Sequence, residues 1–437
     1  MIHYGGLDVH KRVVEACIID AAGEVIFRGR FTLTPSSLVA FAQQHLGPDA
    51  HVVLEATTNT WAVARLLKPY AAEVVVSNPL KTKAIAEAKI KTDKVDALVL
   101  AQLLRCDYLP RVWEPDEATQ ELRRLTSHRA GLVAERTAVK NRLHAVLAER
   151  LLASPLQQLF SAKGLAWLTS IELDADGALM RDSNLRLLAA IEEELQTADQ
   201  VLAKTGYADP RVKLLMTLPG VDVTCAQTLL AALGDAQRFR DGDQAAGYLG
   251  LAPSTKQSAD KCYHGPITKR GNSHARWTLV QAAQRVDKHP GPLGVFFRRL
   301  ARKKNRNVAV VAAARKLVVI AWHMLTKNEP YRYAQPKGTA SKLARLRVKA
   351  TGQRRRGVTP KGTKAVRQMT EGPTRTVKSL PAVLANEGLP PLTPPPAGEA
   401  RTVAATGTDA FVAAIAQDQR ERRAPRKAKP PAAMVNA

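Results

Sequence analysis

The first 106 residues alternate short apolar segments with helical segments, in an order that restricts the fold to a few topologies. Three strands joined by short turns come first and predict an antiparallel meander, and a helix with Thr34 or Ser36 as its N-cap follows. Two more strands then alternate with helices, the last of which extends to about Cys106. The predicted strands cover 2–9, 13–20, 25–33, 51–55 and 73–77. This order, βββαβαβα, predicts a mixed sheet with helices on its faces.

Four acidic residues lie where such a sheet would bring them together. The order of elements is that of the ribonuclease H-like fold, with Asp8 at the end of the first strand and Glu55 at the end of the fourth. Asp93 and Asp96 are three residues apart, on one face of the last helix. Clustered carboxylates are costly without a counter-charge, so four of them predict a site for one or two divalent metal ions. Taken singly, each has a plainer explanation as a strand end, a loop cap or a helix first turn.

The net charge indicates the kind of partner. Lys and Arg number 65 against 39 Asp and Glu, a formal charge of +26, which suits a nucleic acid or an anionic membrane better than a small substrate. We find no apolar run of about 18 residues and no signal peptide, so we expect a cytoplasmic, nucleoid-associated protein without a membrane partner. The cysteines are far apart and predict neither zinc nor disulfides: Cys17, Cys106, Cys225 and Cys262.

Residues 111–205 predict a helical linker domain. Apolar residues recur at helical spacing from Leu122 to Leu147, which favours a helical hairpin or a coiled coil, within the chain or between subunits. The same helix carries a basic face that includes Arg123 and Arg124. We interpret this face as a phosphate contact, although a solvated helix surface would have the same pattern.

Residues 206–335 contain two further candidate nucleic-acid sites. Leu-Pro-Gly-Val at 218–221, between two helical segments, predicts a helix-hairpin-helix in which Gly220 lets the backbone approach a phosphate; an ordinary turn is the alternative. A hydroxyl-rich loop at 254–261 and then Lys269 and Arg270 precede another helix, which carries Arg276. This second stretch is suited to holding a phosphodiester. The lysines beside the four acids are further candidates: Lys11, Lys91 and Lys94.

The last hundred residues lose this periodicity. Residues 337–367 contain eleven Lys or Arg and no acid, and proline-rich runs follow. We expect 336–437 to be a disordered basic arm that binds nucleic acid without sequence specificity.

Six short motifs resemble the DEDD-type transposases of insertion sequences of the one-ten class, over about residues 4–330. They are Gly-Leu-Asp-Val-His-Lys at 6–11, Leu-Glu-Ala-Thr at 54–57, Lys-Thr-Asp-Lys-Val-Asp-Ala at 91–97, Leu-Pro-Gly-Val at 218–221, Gly-Leu-Ala-Pro at 250–253 and Ile-Thr-Lys-Arg-Gly-Asn at 267–272. The resemblance implies a RuvC-like catalytic domain at 1–110 and a mostly helical, serine-bearing transposase domain at 206–335. It also implies that Asp8, Glu55, Asp93 and Asp96 bind Mg²⁺.

The resemblance further implies a serine nucleophile in the loop after Gly-Leu-Ala-Pro. By its offset from Pro253 this serine is Ser258, with Ser254 and Thr255 as nearby competitors. The family often has glycine after the serine, whereas this chain has Ala259. The resemblance implies guidance by an RNA from the element itself and action on DNA as a tetramer. The expected partners are therefore double-stranded DNA, a guide RNA and further copies of the chain, in a dimer or a tetramer.

The function expected from these features is that of a DNA transposase or recombinase that cuts and rejoins DNA through a magnesium-assisted serine. The main alternative is a RuvC-like junction resolvase, with the same four acids but with water as its nucleophile. Gly-Leu-Asp at the end of the first strand also occurs in actin-like and sugar-kinase phosphotransferases, but we find neither the second glycine-rich phosphate loop nor the adenosine site that those enzymes need. A non-catalytic architectural DNA binder would carry the four acids as a liability.

Overall fold

A computed structural model describes residues 2–85, 93–258, 261–353 and 374–422. The chain forms two compact units, Met1–Pro115 and Asp116–Ala437, and each is described by itself. The linker, transposase and tail segments predicted from the sequence are parts of the second unit, except for residues 111–115, which belong to the first. The division of that unit into three separate domains remains a proposal.

The first unit is built on a five-stranded mixed sheet. Its strands are β1 (His3–Val9), β2 (Val13–Ile19), β3 (Val25–Thr32), β4 (Ala50–Glu55) and β5 (Glu73–Ser77). The sheet order is β3-β2-β1-β4-β5. β1 pairs with β2, and β2 with β3, in the antiparallel sense, whereas β1–β4 and β4–β5 are parallel. The predicted meander followed by parallel crossovers is confirmed.

Helices cover both faces of this sheet. They are α1 (Pro35–His45), α2 (Thr60–Leu67), α3 (Pro79–Ile85) and α4 (Asp93–Arg105). Thr34 is the N-cap of α1, since its side chain accepts a hydrogen bond from the Ser37 N–H. The helical sequence predicted up to about Cys106 forms α3 and α4, and residues 86–92 lie outside the described part of the chain.

The two faces of the sheet have separate cores. Leu7 and Val9 of β1 pack with Leu38 of α1 and Val63 of α2 on one face. On the other face α4 contributes buried residues that pack against alternate positions of the strands: Ala97 and Ala101 with Cys17 and Ile19, and Leu100 and Leu104 with Val53 and Val75.

The close approach of α4 to β1 depends on Gly6. A Cβ at this position would overlap the carbonyl oxygen of Ala97 in α4. The neighbouring Gly5 faces the other way, and a Cβ there would lie at an ordinary distance of 3.6 Å from Val52. The glycine at position 6 therefore lets the α4 backbone lie directly on the strand.

The second unit is mostly helical. Its first nine helices are α5 (Glu117–Glu149), α6 (Ala162–Ser170), α7 (Ala175–Ala208), α8 (Pro210–Leu215), α9 (Val223–Leu233), α10 (Gly242–Tyr248), α11 (Ser273–Ala283), α12 (Pro292–Lys303) and α13 (Arg306–Lys327). A two-stranded antiparallel hairpin, β6 (Pro253–Ser258) with β7 (Lys261–Ile267), lies between α10 and α11.

The long helices α5 and α7 pair within the chain. Val139 and Leu143 of α5 share a buried cluster with Leu188 of α7. Polar contacts run along the same interface, with Arg142 Nε 2.7 Å from Asn184 Oδ1 and Arg129 Nε bonded to Asp199. The structure thus shows an intrachain helical hairpin in which some arginines of the predicted basic face make internal contacts.

The helix α13 is long and apolar enough to cross a membrane by length and composition alone. Its inward side, from Ala309 to Met324, lies in the core of the second unit. This burial is typical of the central helix of a globular domain.

The expectation that 336–437 is disordered is wrong for its described residues. Elements continue as α14 (Pro336–Thr351), β8 (Thr374–Val377), α15 (Leu380–Asn386), α16 (Ala397–Thr406), α17 (Asp409–Ile415) and β9 (Gln419–Arg422). Leu343, Leu346, Leu380 and Leu384 are buried in the core of the second unit. The expectation rested on the basic composition of the segment. It did not take account of apolar residues at helical spacing, which pack against a core formed by earlier helices. Residues 354–373 and 423–437 lie outside the described part of the chain.

We predict that Gly6→Ala lowers the free energy of unfolding of the first unit by about 2 kcal/mol or more, because α4 must move away from β1. Urea unfolding followed by circular dichroism measures the change. Gly5→Ala is the matched control from the same strand, and it should cost about 1 kcal/mol or less. Equal losses for both variants would contradict the close packing of α4.

We also predict that Leu384→Ala costs the second unit about 2–4 kcal/mol of unfolding free energy, since it removes a fully buried side chain. Thermal or denaturant unfolding measures it, with Lys378→Ala at an exposed site nearby as the control. No loss for Leu384→Ala would mean that α15 does not belong to the core.

Candidate functional site

Three carboxylates lie at one level across three adjacent strands. Asp8 is directly opposite Glu15 in the β1–β2 pair. Leu7 is opposite Leu54 in the parallel β1–β4 pair, so Asp8 and Glu55 follow side by side, at the strands' carboxyl ends. Adjacent strands are about 4.8 Å apart. The sheet therefore brings together the two predicted strand acids, Asp8 and Glu55, and adds Glu15.

These side chains belong to the face of the sheet that α4 covers. Alternate residues of a strand face the same side, so Asp8 lies on the side of Gly6, which packs on Ala97. Glu55 lies likewise on the side of Val53, which packs with Leu100 and Leu104 of α4. Asp96 precedes Ala97 in α4 and is half-buried. Three of the four predicted acids thus share one side of the sheet.

Asp93 begins α4, one turn before Asp96, and its side chain lies outside what the structure describes. Among the described residues, no group of three or more His, Cys, Asp or Glu side chains is gathered closely enough to hold a metal ion. The donor chemistry nevertheless fits a hard divalent cation, because carboxylate oxygens are the ligands that Mg²⁺ and Ca²⁺ prefer. Asp93, the fourth predicted ligand, is the one whose side chain the structure does not describe.

Two basic residues beside these acids were not identified from the sequence. The imidazole Nε2 of His10 lies 3.2 Å from Asp8 Oδ2, and the side chain of Asp8 is only 18% exposed. Arg30 Nε lies 3.4 Å from Glu15 Oε1, and the side chain of Glu15 is 7% exposed. The Arg30 guanidinium partly offsets the repulsion between neighbouring carboxylates, and His10 makes a polar contact with Asp8.

Glu15 could have been found from the sequence. It is a lone acid inside the apolar strand Val-Val-Glu-Ala-Cys-Ile-Ile. An ionised carboxylate in a buried strand position is rare unless it has a charged partner or a function. Its closeness to Asp8 depends on the β1–β2 register, which only the folded sheet shows.

Ser258 lies at the end of β6, exposed, and pairs with Lys261 across the hairpin. Residues 259 and 260 lie outside the described part of the chain, so Ala259 is not described. The competing hydroxyls are closer to other groups: Thr255 Oγ1 lies 3.2 Å from His264 Nδ1, and Ser254 is half-buried against Gly265. The candidate nucleophile is the hydroxyl nearest the tip of an exposed hairpin.

The predicted basic residues around this hairpin have different surroundings. Arg276 Nη1 donates to the carbonyls of Leu249, at 3.0 Å, and Arg270, at 2.8 Å, so it braces the two loops at the base of the hairpin. Lys269 has a positive φ of 55° and, like Arg270, is exposed. Lys269 and Arg270 are thus available to a phosphate, whereas Arg276 is held by backbone carbonyls.

The remaining candidates are spread over both units. Lys11 is exposed in the turn after β1, whereas Lys91 and the side chain of Lys94 lie outside the described part. Arg123 Nε donates to the Ala231 carbonyl at the end of α9, at 2.7 Å, and Arg124 pairs with Glu117 at 2.9 Å.

The predicted helix-hairpin-helix consists of α8, the turn and α9. Gly220 has a φ of 76°, in the left-handed region, and a Cβ there would overlap the Ala282 carbonyl of α11. The turn therefore needs glycine for packing. Asp222 caps α9 by accepting from the Cys225 N–H at 2.8 Å.

Two segments of the chain match models of transposase families. The DEDD transposase family of IS110 elements matches residues 5–150, which include the acids and the start of the helical hairpin. The transposase family IS116/IS110/IS902 matches residues 212–294, which include the turn between α8 and α9 and the strand β6 that ends at Ser258.

Curated relatives are similar over most of the chain. The transposase for insertion sequence element IS1111A of Coxiella burnetii is 26% identical over 75% of this chain and 90% of its own length. The transposase for insertion sequence element IS1328 of Yersinia enterocolitica is 24% identical over 74% of this chain and 96% of its own length. The pilin gene-inverting protein of Moraxella bovis is 25% identical over 75% of this chain and 97% of its own length.

These matches argue against a phosphotransferase and against a non-catalytic architectural DNA binder, because residues 5–150 and 212–294 both match transposases and the four acids lie in the first of these segments. The chain is an enzyme of DNA cleavage and strand transfer and belongs to the IS110 class of transposases.

Proposed function

We propose that this transposase cuts and rejoins DNA through Ser258, assisted by Mg²⁺ held by Asp8, Glu55, Asp93 and Asp96. The observation that carries the proposal is the placement of Asp8 and Glu55 side by side at the ends of parallel strands, on the face covered by the helix of Asp96. When bound, Mg²⁺ would withdraw charge from phosphoryl oxygens and lower the pKa of an attacking hydroxyl.

The chain's own residues supply the covalent step. Ser258 Oγ attacks the phosphorus of a DNA phosphodiester and loses its proton as the bond from phosphorus to the leaving DNA oxygen breaks. The leaving oxygen takes up a proton and becomes a hydroxyl. One phosphorus–oxygen bond replaces another, so a hydroxyl from a second DNA strand can reverse the attack and release the serine.

Around the serine, Lys269 and Arg270 stabilise the phosphate charge, because both are exposed at the base of the hairpin. Arg276 positions them by holding the Arg270 carbonyl. His10 holds Asp8 in place through its polar contact with the carboxylate.

DNA is the partner that the family gives. A guide RNA and assembly into a dimer or tetramer are proposed from the resemblance of the six motifs, and the charge of +26 supports a second polyanion. The acids lie in the first unit of the chain and Ser258 in the second.

For the metal site, we predict that Asp8→Asn or Glu55→Gln lowers DNA cleavage by about 10²-fold or more, because each loses a charged ligand. Gel assays of cleavage with Mg²⁺ measure the rate, and binding to the same DNA in EDTA should stay within about twofold, since neither acid is proposed to contact DNA. Glu24→Gln, at an exposed acid in the β2–β3 turn, is the control and should cleave normally. Normal cleavage by Asp8→Asn would refute the assignment.

For the nucleophile, we predict that Ser258→Ala forms no covalent protein–DNA adduct, whereas Ser254→Ala and Thr255→Val still form it. Adducts are trapped by denaturation and measured on gels with labelled DNA. Adducts formed by Ser258→Ala would transfer the role to another hydroxyl. Cleavage without any adduct in the unmodified protein would favour the water-using resolvase chemistry.

A further inference from the structure

A cationic groove lies in the second unit, away from the Ser258 hairpin in sequence. It is a cavity of about 860 Å³ between three elements: the turn after α8, the end of α11 with the 3-10 turn Val286–Lys288, and helix α14. The third wall belongs to the segment that the sequence predicts to be a disordered arm.

Lys342 fixes α14 against the hairpin turn. Its Nζ donates to the carbonyl oxygens of Leu218 and Val221, at 2.6 and 3.0 Å. Burial lowers the pKa of Lys342 to about 8, so the ammonium form still predominates at neutral pH. Together with the packing of Gly220 on Ala282, this contact makes two walls of the groove a fixed surface.

The lining is strongly positive. It contains six Lys or Arg side chains and two Asp. Both acids have partners, since Asp222 accepts from the Cys225 N–H and Asp287 Oδ2 lies 3.0 Å from Arg306 Nη1. Lys349 is likewise paired, 2.8 Å from Asp199 Oδ2.

Lys342 is held by its two backbone carbonyls. Three further cations of the groove have no carboxylate partner among the described residues: Arg285, Lys288 and Arg345. All three are exposed, and the one side-chain hydrogen bond that the described part shows for them is from Arg345 Nε to the Ser341 carbonyl, at 3.3 Å. Like charges clustered on a fixed surface repel each other, so a polyanion would stabilise them.

We propose that this groove binds the phosphodiester backbone of double-stranded DNA. The lining contains Gln281, Gln284 and Gln335, whose amides can donate to phosphate oxygens, and no Phe, Tyr or Trp. Sites for single strands usually stack bases on such aromatic side chains, so the groove suits a duplex that is contacted through its backbone. The proposal rests on DNA being the substrate and is independent of the proposed metal and serine chemistry.

The test compares the full-length protein with the variant Arg285→Ala/Lys288→Ala/Arg345→Ala. Binding to a 30-base-pair duplex of arbitrary sequence is followed by fluorescence anisotropy in EDTA, at several salt concentrations. Each lost phosphate contact lowers the slope of log K against log salt by about 0.9, so we expect a decrease of about 2 to 3 and about tenfold weaker binding at 0.1 M salt. Thermal unfolding should be unchanged, because the replaced side chains are exposed.

The matched control removes three exposed cations outside the groove, Lys163→Ala/Arg186→Ala/Lys204→Ala, and should leave the slope nearly unchanged. An equal loss in this control would overturn the proposal in favour of a general effect of net charge. Unchanged binding by the groove variant would also overturn it, without touching the proposed chemistry. A loss confined to single-stranded DNA or to RNA would overturn the duplex as the occupant.

Discussion

The packing of α4 on β1 is the contact on which the candidate active site depends. The absent side chain of Gly6 lets the Ala97 carbonyl lie against the strand, and this puts Asp96 on the face of the sheet that holds Asp8 and Glu55. Any larger residue at position 6 would overlap backbone atoms of α4 and push the helix away from the strand. Backbone atoms cannot move aside as the end of a flexible side chain can. A packing constraint in the core thus determines which carboxylates share one side of the sheet.

The carboxylates are placed at an electrostatic cost. Asp8, Glu15 and Glu55 occupy neighbouring positions on three strands, where like charges are unfavourable. Arg30 offsets part of this repulsion, and a bound divalent cation would offset more. In the second unit the clustered charges are basic, and many of them are taken up by internal contacts. Many basic side chains there, such as Arg123, Arg276 and Lys342, hold backbone carbonyls, so the net charge of +26 overstates how much positive surface is free for nucleic acid.

Prediction from sequence succeeded where a local pattern carried the information. The order of strands and helices along the first unit and the helical character of 116–200 follow from short-range periodicity, and the structure confirms them. Capping preferences left Thr34 and Ser36 as candidates for the start of α1, and the structure shows Thr34. The tail was misjudged because its composition is basic and rich in proline, whereas Leu343, Leu346, Leu380 and Leu384 bury against residues far away in the chain. Composition does not show whether such a partner surface exists. Glu15 was missed for a similar reason, since its importance lies in its neighbour across the β1–β2 pair.

The sequence by itself determined the mixed sheet, the positions of Asp8 and Glu55 at strand ends and, through its motifs, the family, because these depend on neighbouring residues and on strand connectivity. Only the tertiary structure decided that Glu15 joins the acids, that Arg276 and Lys342 hold backbone carbonyls and that α14 completes a cationic groove. Each of these depends on contacts between segments that are distant in the chain, or on the register between strands, and residue types alone do not specify such contacts.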